Sequence, residues 1–176
     1  MKPENYKYHL AIRLKGYNYS NPGIYFITIC SKDRSCVFGK IDGRQSVLNE
    51  IGLAVEKLWM QIPEHFPDVS LMDYVLMPNH LHGLLCINEK VIGTACRAST
   101  WGNQASESFG SPMKGSIPLI IRSLKSASTK YIHQNFKYSG LSFWQPGYYE
   151  HVIRNDIELK YTINYIKSNP ANWDGS

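Results

Sequence analysis

The first third of the chain carries apolar runs with the two spacings typical of strands and helices. Residues 24–30 are mostly β-branched or aromatic, which predicts a strand, and residues 36–41 are predicted to form its hairpin partner. From residue 48 to residue 62, apolar positions recur three and four residues apart, which predicts an amphipathic helix that ends before Pro63. The chain is therefore predicted to begin with two strands and a helix.

Two more apolar runs follow, over residues 69–77 and 81–87, and each has the length of a strand. Pro78 and its neighbour Asn79 predict a bend between them. The composition then changes to Gly, Ser, Thr, Ala and Asn with little apolar periodicity between residues 88 and 116. That composition is typical of a flexible surface loop.

The last third of the chain predicts two helices separated by a short extended segment. Pro118 suits the first turn of one helix, and Asn155 can cap the other with Glu158 three residues later. Pro170 is predicted to end the second of them. The order of the elements favours an α+β fold in which helices back an antiparallel sheet, as one domain over residues 1–176.

The charge balance favours a nucleic-acid partner. The 19 Lys and Arg residues exceed the 14 Asp and Glu residues, which leaves a net charge of +5. The four cysteines have no metal-ligand spacing, which predicts reduced thiols and a cytoplasmic location. No stretch reaches the roughly 18 apolar residues of a membrane helix, and the first five residues lack the apolar part of a secretion signal. We therefore expect neither membrane insertion nor secretion.

His80 and His82 are the first candidates for chemistry. Residues two apart in a strand face the same side, so the two imidazoles are predicted to lie side by side while Leu81 faces the core. Adjacent neutral imidazoles are natural ligands of a divalent metal ion. Ordinary surface or hydrogen-bonded histidines are the alternative. Gly83 favours the metal site, since a missing side chain lets a ligand backbone approach.

Tyr165 is the second candidate. At about 100° per residue, the apolar stripe of the last predicted helix consists of Leu159, Ile163 and Ile166. Tyr161, Tyr165 and Asn169 lie on another face. A tyrosine and a carboxamide one turn apart can supply a phenolate nucleophile and an oxygen ligand to one site. The spacing leaves open an interface tyrosine, with Asn169 merely ending the helix.

Three segments, in this order, are similar to the signatures of a known family. They are residues 77–83 (MPNHLHG), residues 144–155 (WQPGYYEHVIRN) and residues 165–170 (YIKSNP). On these motifs the chain resembles the REP-associated tyrosine transposases, which belong to the HUH superfamily. The similarity extends from about Tyr8 to Trp173, with residues 88–116 as the chief unmatched region.

The resemblance implies a ferredoxin-like domain that cleaves and rejoins single-stranded DNA, or DNA folded into a hairpin. It implies a Mg²⁺ or Mn²⁺ ion bound by His80 and His82, with Asn169 at the position of a third ligand. Tyr165 is then the nucleophile that attacks a phosphodiester and forms a 5′-phosphotyrosine.

Several basic residues are candidate DNA contacts. Arg154 and His151 lie in the second similar segment, which in the resembled family is near the site, although a salt-bridged connector is an equal alternative. Arg122, Lys125 and Lys130 lie on the helix that begins near Pro118 and are predicted to contact phosphates, unless they form an ordinary solvated face.

Two other functions remain open at this level. One is a non-catalytic nucleic-acid-binding protein derived from a transposase, which has no need for the histidines and Tyr165 together. The other is a metal-dependent hydrolase that uses water, which leaves no covalent protein–DNA adduct. The sequence is compatible with a homodimer and with a monomer.

Overall fold

The computed structural model describes residues 17–89, 115–136 and 143–174 of the chain. The strands in chain order are β1 (Gly23–Cys30), β2 (Gly39–Asp42), β3 (Gln45–Leu48), β4 (Val69–Met77), β5 (His80–Ile87) and β6 (Tyr149–Ile153). The helices are α1 (Glu50–Met60), α2 (Ile62–His65), α3 (Ile117–Asn135) and α4 (Asp156–Ser168). The chain therefore has the mixed α+β content that the sequence predicts.

Four of the strands form one antiparallel sheet with the order β4-β5-β1-β6. The helices α1 and α2 connect β1 to β4, and α3 connects β5 to β6. This is the ferredoxin-like arrangement, to which α4 is added after the last strand. The central strands are β5 and β1, so a side chain on either of them lies away from the edges of the sheet.

The larger apolar cluster lies on the sheet face that α1 and α3 cover. Tyr25, Ile27 and Ile29 of β1 are fully buried on this face, because alternate residues of a strand point the same way. The helices contribute Val55, Trp59, Ile120, Ile121, Leu124 and Ile132. This cluster is the main core of the domain.

A second, smaller cluster lies on the opposite face. Its buried members are Ile24, Leu84, Cys86, Ile153 and Ile166. Leu159 and Ile163 of α4 pack against it, so the predicted apolar stripe of the last helix does face the sheet. The strand residues that point to this face are those at even-numbered positions of β1 and β5, which include both candidate histidines.

The predicted hairpin partner of β1 was wrong. Residues 36–41 do not pair with β1, because both edges of β1 are occupied by β5 and β6, and β2 instead pairs with β3 in a separate two-stranded sheet. The first helix ends at Met60, before Pro63 as predicted, and Pro63 lies in the first turn of the short helix α2. Proline fits there because the first turn has no intrahelical partner for its missing N–H.

Residues 90–114, which make up most of the predicted loop over 88–116, lie outside the described residues. In the part of the chain that the structure covers, no helix is both long and apolar enough to cross a membrane.

Candidate active site

The two histidines open β5 and face α4. In the sheet register His82 lies opposite Thr28 of β1, and His80 lies opposite Cys30. Their ring centroids are 4.5 Å apart. His82 is 6% exposed, whereas His80 is half-buried at the start of the strand. The sheet therefore presents two adjacent imidazoles on the face that does not carry the main core.

Asn79 fixes the orientation of the His80 ring. Nδ1 of His80 lies 2.6 Å from the carboxamide oxygen of Asn79, and a carboxamide oxygen can only accept a hydrogen bond. Asn79 in turn donates from Nδ2 to the backbone carbonyl of Arg34 at 3.1 Å, which sets the orientation of the amide. Nδ1 of His80 therefore carries the proton, and Nε2 keeps its lone pair.

Thr28 fixes the orientation of the His82 ring. Its hydroxyl oxygen lies 2.7 Å from Nδ1 of His82, and the Nε2 atom of the same ring lies 3.2 Å from the Tyr165 hydroxyl. A phenol donates its proton readily, so Nε2 accepts and Nδ1 donates to Thr28. Both imidazoles thus use Nδ1 as the donor in a protein contact and carry their lone pair on Nε2.

Burial keeps both imidazoles uncharged. Burial lowers the pKa of His80 to about 4, and the nearby positive charge of Arg34 lowers it further. Burial also lowers the pKa of His82 to about 3, with a smaller contribution from His80. At neutral pH both rings are therefore in the neutral form that binds metal ions.

Tyr165 of α4 completes the group. Its ring centroid is 5.2 Å from that of His82, and the side chain is 50% exposed. Phe26 of β1 stacks on His82 at 5.3 Å and meets Tyr165 edge-on at 6.1 Å. Tyr161, one turn earlier, is 72% exposed and makes no hydrogen bond to either histidine in the described structure. Of the two tyrosines, Tyr165 is the one at the imidazoles.

The chain after α4 turns back toward the histidines. Asn169 ends the helix, with its backbone N–H bonded to the carbonyl of Ile166 at 3.3 Å. Four residues later, the Trp173 ring lies 5.8 Å from the His80 ring. Asn169 therefore lies between two residues that contact the histidine pair, and its role as a third metal ligand remains a prediction.

The donor set fits a divalent cation. Within residues 17–89, 115–136 and 143–174, no three side chains of His, Cys, Asp or Glu are placed to hold a metal ion together. The two Nε2 atoms are therefore the nitrogen donors that the described residues offer to a cation. A carboxamide, water or phosphate oxygen would complete the coordination, and such oxygens suit Mg²⁺ and Mn²⁺.

Gly83 does not serve the histidines. It points to the other face of the sheet, where an added Cβ would lie 2.6 Å from Cη2 of the Trp59 indole. The missing side chain makes room for Trp59 of α1 and not for a ligand. The interpretation of Gly83 as an approach path to the site was wrong, because adjacent residues in a strand face opposite sides.

His151 and Arg154 belong to the start of α4. Nε2 of His151 lies 2.5 Å from Oε1 of Glu158, and Oε2 of the same carboxylate accepts from the backbone N–H of Arg154 at 2.8 Å. Asn155 caps the helix by accepting from the N–H of Glu158 at 2.9 Å, as the sequence predicts. For His151 these contacts favour the salt-bridged connector over a free DNA contact. The Arg154 side chain is exposed.

The three basic residues of α3 lie on the opposite side of the sheet from the histidines. Arg122 and Lys130 are exposed. Lys125 is half-buried, and its ammonium donates to the backbone carbonyls of Gln145, at 2.8 Å, and Gly147. Lys125 and Lys130 line a groove of about 560 Å³ between α3 and residues 143–147. The structure thus does not bring these three residues to the same phosphate as Tyr165.

Sequence reasoning missed four residues that shape the site. Thr28 could have been noticed in the sequence, because its polar side chain interrupts a largely apolar strand. Asn79 lies inside the MPNHLHG segment, but its orienting role needs the bond to Arg34 to be seen. Phe26 and Trp173 are ordinary aromatic residues in the sequence, and no spacing distinguishes them.

The chain is similar to transposases in sequence and in structure. The model of the IS200-like transposase family matches residues 108–169, a range that includes Tyr165 and Asn169. A Haemophilus influenzae protein of uncharacterised function is 39% identical over 172 residues, which cover 93% of this chain and 89% of that protein. Another protein of that organism, described as a REP-associated tyrosine transposase, is 24% identical over 154 residues, covering 88% and 73% of the two chains.

The fold is also that of a solved transposase. The structure of a REP-associated tyrosine transposase bound to a REP hairpin superposes with a TM-score of 0.56. The match has 18% sequence identity and covers 88% of this chain and 70% of the other. At that identity the likeness supports the shared fold.

Proposed function

We propose that this chain, which is similar to the REP-associated tyrosine transposases, is a metal-dependent endonuclease and strand-transferase for single-stranded DNA. The observation that carries this proposal is the 3.2 Å contact between the Tyr165 hydroxyl and Nε2 of His82. It joins the half-exposed Tyr165, the proposed nucleophile, to one of two neutral imidazoles whose Nε2 atoms carry lone pairs. Hairpin DNA, the ligand of the solved relative, is the proposed substrate.

In the proposed reaction the phenolate oxygen of Tyr165 attacks the phosphorus of a DNA phosphodiester. The bond from phosphorus to the 3′-oxygen breaks, and the downstream strand becomes attached to the protein as a 5′-phosphotyrosine. The phenolic proton leaves to solvent, which reaches the half-exposed side chain, and the released 3′-oxygen takes up a proton from water. The phosphotyrosine bond conserves the energy of the broken phosphodiester. A 3′-hydroxyl of another strand can therefore attack the phosphorus, release Tyr165 and become joined to the downstream strand.

His80, His82 and Asn169 are the proposed metal ligands. A bound Mg²⁺ or Mn²⁺ would polarise a non-bridging phosphate oxygen and offset the charge that develops on it. The chain contributes the arrangement, because Asn79 and Thr28 engage the Nδ1 atoms of the two rings and leave the Nε2 atoms as the donors. This is the chemistry of the HUH class of enzymes.

The open position of the site suits a polymer. Tyr165 is half-exposed and His80 is only half-buried, so a DNA strand can reach them from the surface rather than enter a closed pocket. Arg154, Arg122 and Lys130 are proposed as phosphate contacts outside the reacting centre. His151 and Lys125 are proposed to act indirectly, by holding the start of α4 and residues 145–147 in place. A DNA substrate also favours the cytoplasm as the location.

Labelled hairpin DNA with unpaired flanks tests the proposal. With Mn²⁺ or Mg²⁺ and DNA labelled at its 3′ end, we expect the label to move with the protein on a denaturing gel. The same DNA labelled at its 5′ end should release a short free strand, and EDTA should prevent both. Added DNA with a free 3′-hydroxyl should remove the adduct and give a joined product.

Each rival function gives a different pattern. Cleavage without a protein-linked label indicates a water nucleophile and a hydrolase. Binding without cleavage, in Mg²⁺ and in Mn²⁺, indicates a non-catalytic DNA-binding protein. Either result contradicts the proposed chemistry.

A further inference from the structure

Tyr149 lies in the same row of the sheet as the candidate site. It is the first residue of β6, an edge strand of the four-stranded sheet, and it pairs with Thr28 of β1. Thr28 pairs in turn with His82 of β5. Residues directly opposite each other in a sheet point to the same face. Tyr149 therefore faces the α4 side, two strands away from His82.

Aromatic rings connect Tyr149 to the site. The Phe26 ring lies 6.3 Å from the Tyr149 ring, and the two meet edge-on at 69°. Phe26 also contacts both His82 and Tyr165, as described above. An aromatic surface thus runs from the proposed nucleophile to the edge of the sheet and ends in Tyr149.

The Tyr149 side chain is 49% exposed, although large aromatic side chains usually gain stability from burial. Its ring is thus accessible at the rim of the proposed active site. Proteins that bind single-stranded DNA commonly stack unpaired bases on such rings, next to the place where the backbone is held. The Phe26 ring contacts both tyrosines, at 6.3 Å from the Tyr149 ring and 6.1 Å from the Tyr165 ring. Tyr149 is therefore within reach of a nucleotide that adjoins the proposed reacting phosphate.

We propose that Tyr149 stacks on an unpaired base of the DNA strand beside the scissile phosphate. This inference rests on the proposed function, because the strand has to lie across Tyr165 for the base to reach Tyr149. It adds a base-binding position at the β6 edge to the metal and nucleophile positions. The ligand is an unpaired nucleobase, recognised through its flat face.

The test measures affinity without cleavage. The probe is fluorescent hairpin DNA with unpaired flanks, titrated in EDTA and followed by anisotropy. One series carries a single abasic nucleotide at each unpaired position in turn. Tyr149→Thr removes the ring and introduces a residue that is common in strands, whereas Tyr149→Phe keeps the ring. Tyr131→Ala, which removes a similarly exposed ring elsewhere, is the matched control. Tyr131 is 45% exposed and lies on α3, across the sheet.

We expect Tyr149→Thr to weaken binding of intact DNA by roughly 5- to 100-fold, the range typical of one stacked base. Tyr149→Phe and Tyr131→Ala should bind within about twofold of the wild type, since neither loses a stacked ring. One abasic position should weaken wild-type binding by the same factor and leave Tyr149→Thr unaffected. That loss of additivity is specific to a direct contact, and a merely structural role for Tyr149 would not produce it.

Two results overturn the inference. One is that Tyr149→Thr binds like Tyr131→Ala. The other is that every abasic position weakens the wild type and Tyr149→Thr by equal factors. Because the titration needs no reaction, it is independent of the adduct assay. If the adduct forms but the effects of Tyr149→Thr and of the abasic positions are additive, only the stacking proposal is wrong. If those effects are not additive but no adduct forms, only the proposed chemistry is wrong.

Discussion

The Tyr165 hydroxyl and Nε2 of His82 are 3.2 Å apart, so the proposed nucleophile and a proposed metal ligand share one lone pair. A cation bound at Nε2 would take that lone pair and free the phenol to turn toward the phosphate. The hydrogen bond therefore holds Tyr165 next to its proposed place of action, and a bound cation would replace it.

Changing Tyr165 to Phe should abolish the covalent adduct, because no oxygen is left to attack phosphorus. Binding of single-stranded DNA should persist. Mn²⁺ affinity, measured by electron paramagnetic resonance, should stay the same or rise, because the phenol no longer competes for Nε2 of His82. Tyr161→Phe is the control, and it should form adduct normally. An adduct in Tyr165→Phe together with none in Tyr161→Phe means that the nucleophile is Tyr161.

Thr28→Val should lower Mn²⁺ affinity by about 10- to 100-fold, the usual cost of losing a partner that orients a metal-binding histidine. Valine has nearly the shape of threonine, so the loss reports the hydrogen bond to Nδ1 of His82 and not packing. Thr28→Ser keeps the hydroxyl and should bind Mn²⁺ almost normally. Equal affinities in the valine and serine variants would show that Thr28 does not orient the ring.

The metal-free protein should lose stability as the pH falls below 6.5. His80 and His82 have pKa values of about 4 and about 3 in the folded chain against 6.5 for an ordinary histidine, so the unfolded chain takes up protons first. Between pH 6.5 and pH 4, each histidine then lowers the free energy of unfolding by up to about 1.4 kcal/mol per pH unit.

Urea unfolding in EDTA at several pH values between 4.5 and 7.5, an experimental range of about three units, measures this slope. The variants His80→Gln and His82→Gln should each show a shallower dependence on pH than the wild type. A wild-type slope no steeper than the slopes of these two variants would contradict the buried, neutral state of the rings.

Gly83→Ala should destabilise the fold by roughly 1–3 kcal/mol, the usual cost of forcing extra volume into a packed core. The added methyl group collides with the Trp59 ring, so thermal unfolding should shift downward. Combining it with Trp59→Leu should recover part of that loss. Mn²⁺ affinity of the folded Gly83→Ala protein should stay near normal, and a selective loss of metal binding would restore the ligand-approach interpretation.

The sequence predicts those features of the fold and site that depend on local periodicity. Alternation in β5 places both histidines on one face, and the helical stripe of α4 identifies the side that packs on the sheet. The pairing of β2 could not be predicted, because a strand pattern does not specify its partner. Thr28, Phe26 and Trp173 come from segments far from the histidines in sequence, and only the folded sheet and the turn after α4 bring them together.

The two apolar clusters differ in size, so the helices α3 and α4 should differ in how easily they separate from the sheet. Helix α4 buries Ile166 alone, whereas α3 buries seven residues. Fewer buried contacts mean a smaller free energy of local opening, so α4 separates from the sheet more easily than α3 does. In the proposed reaction, a DNA end joined to Tyr165 would be carried by the helix that buries fewer residues, while the imidazoles would stay on the sheet. A captured strand could then be moved to a new acceptor without unfolding the domain.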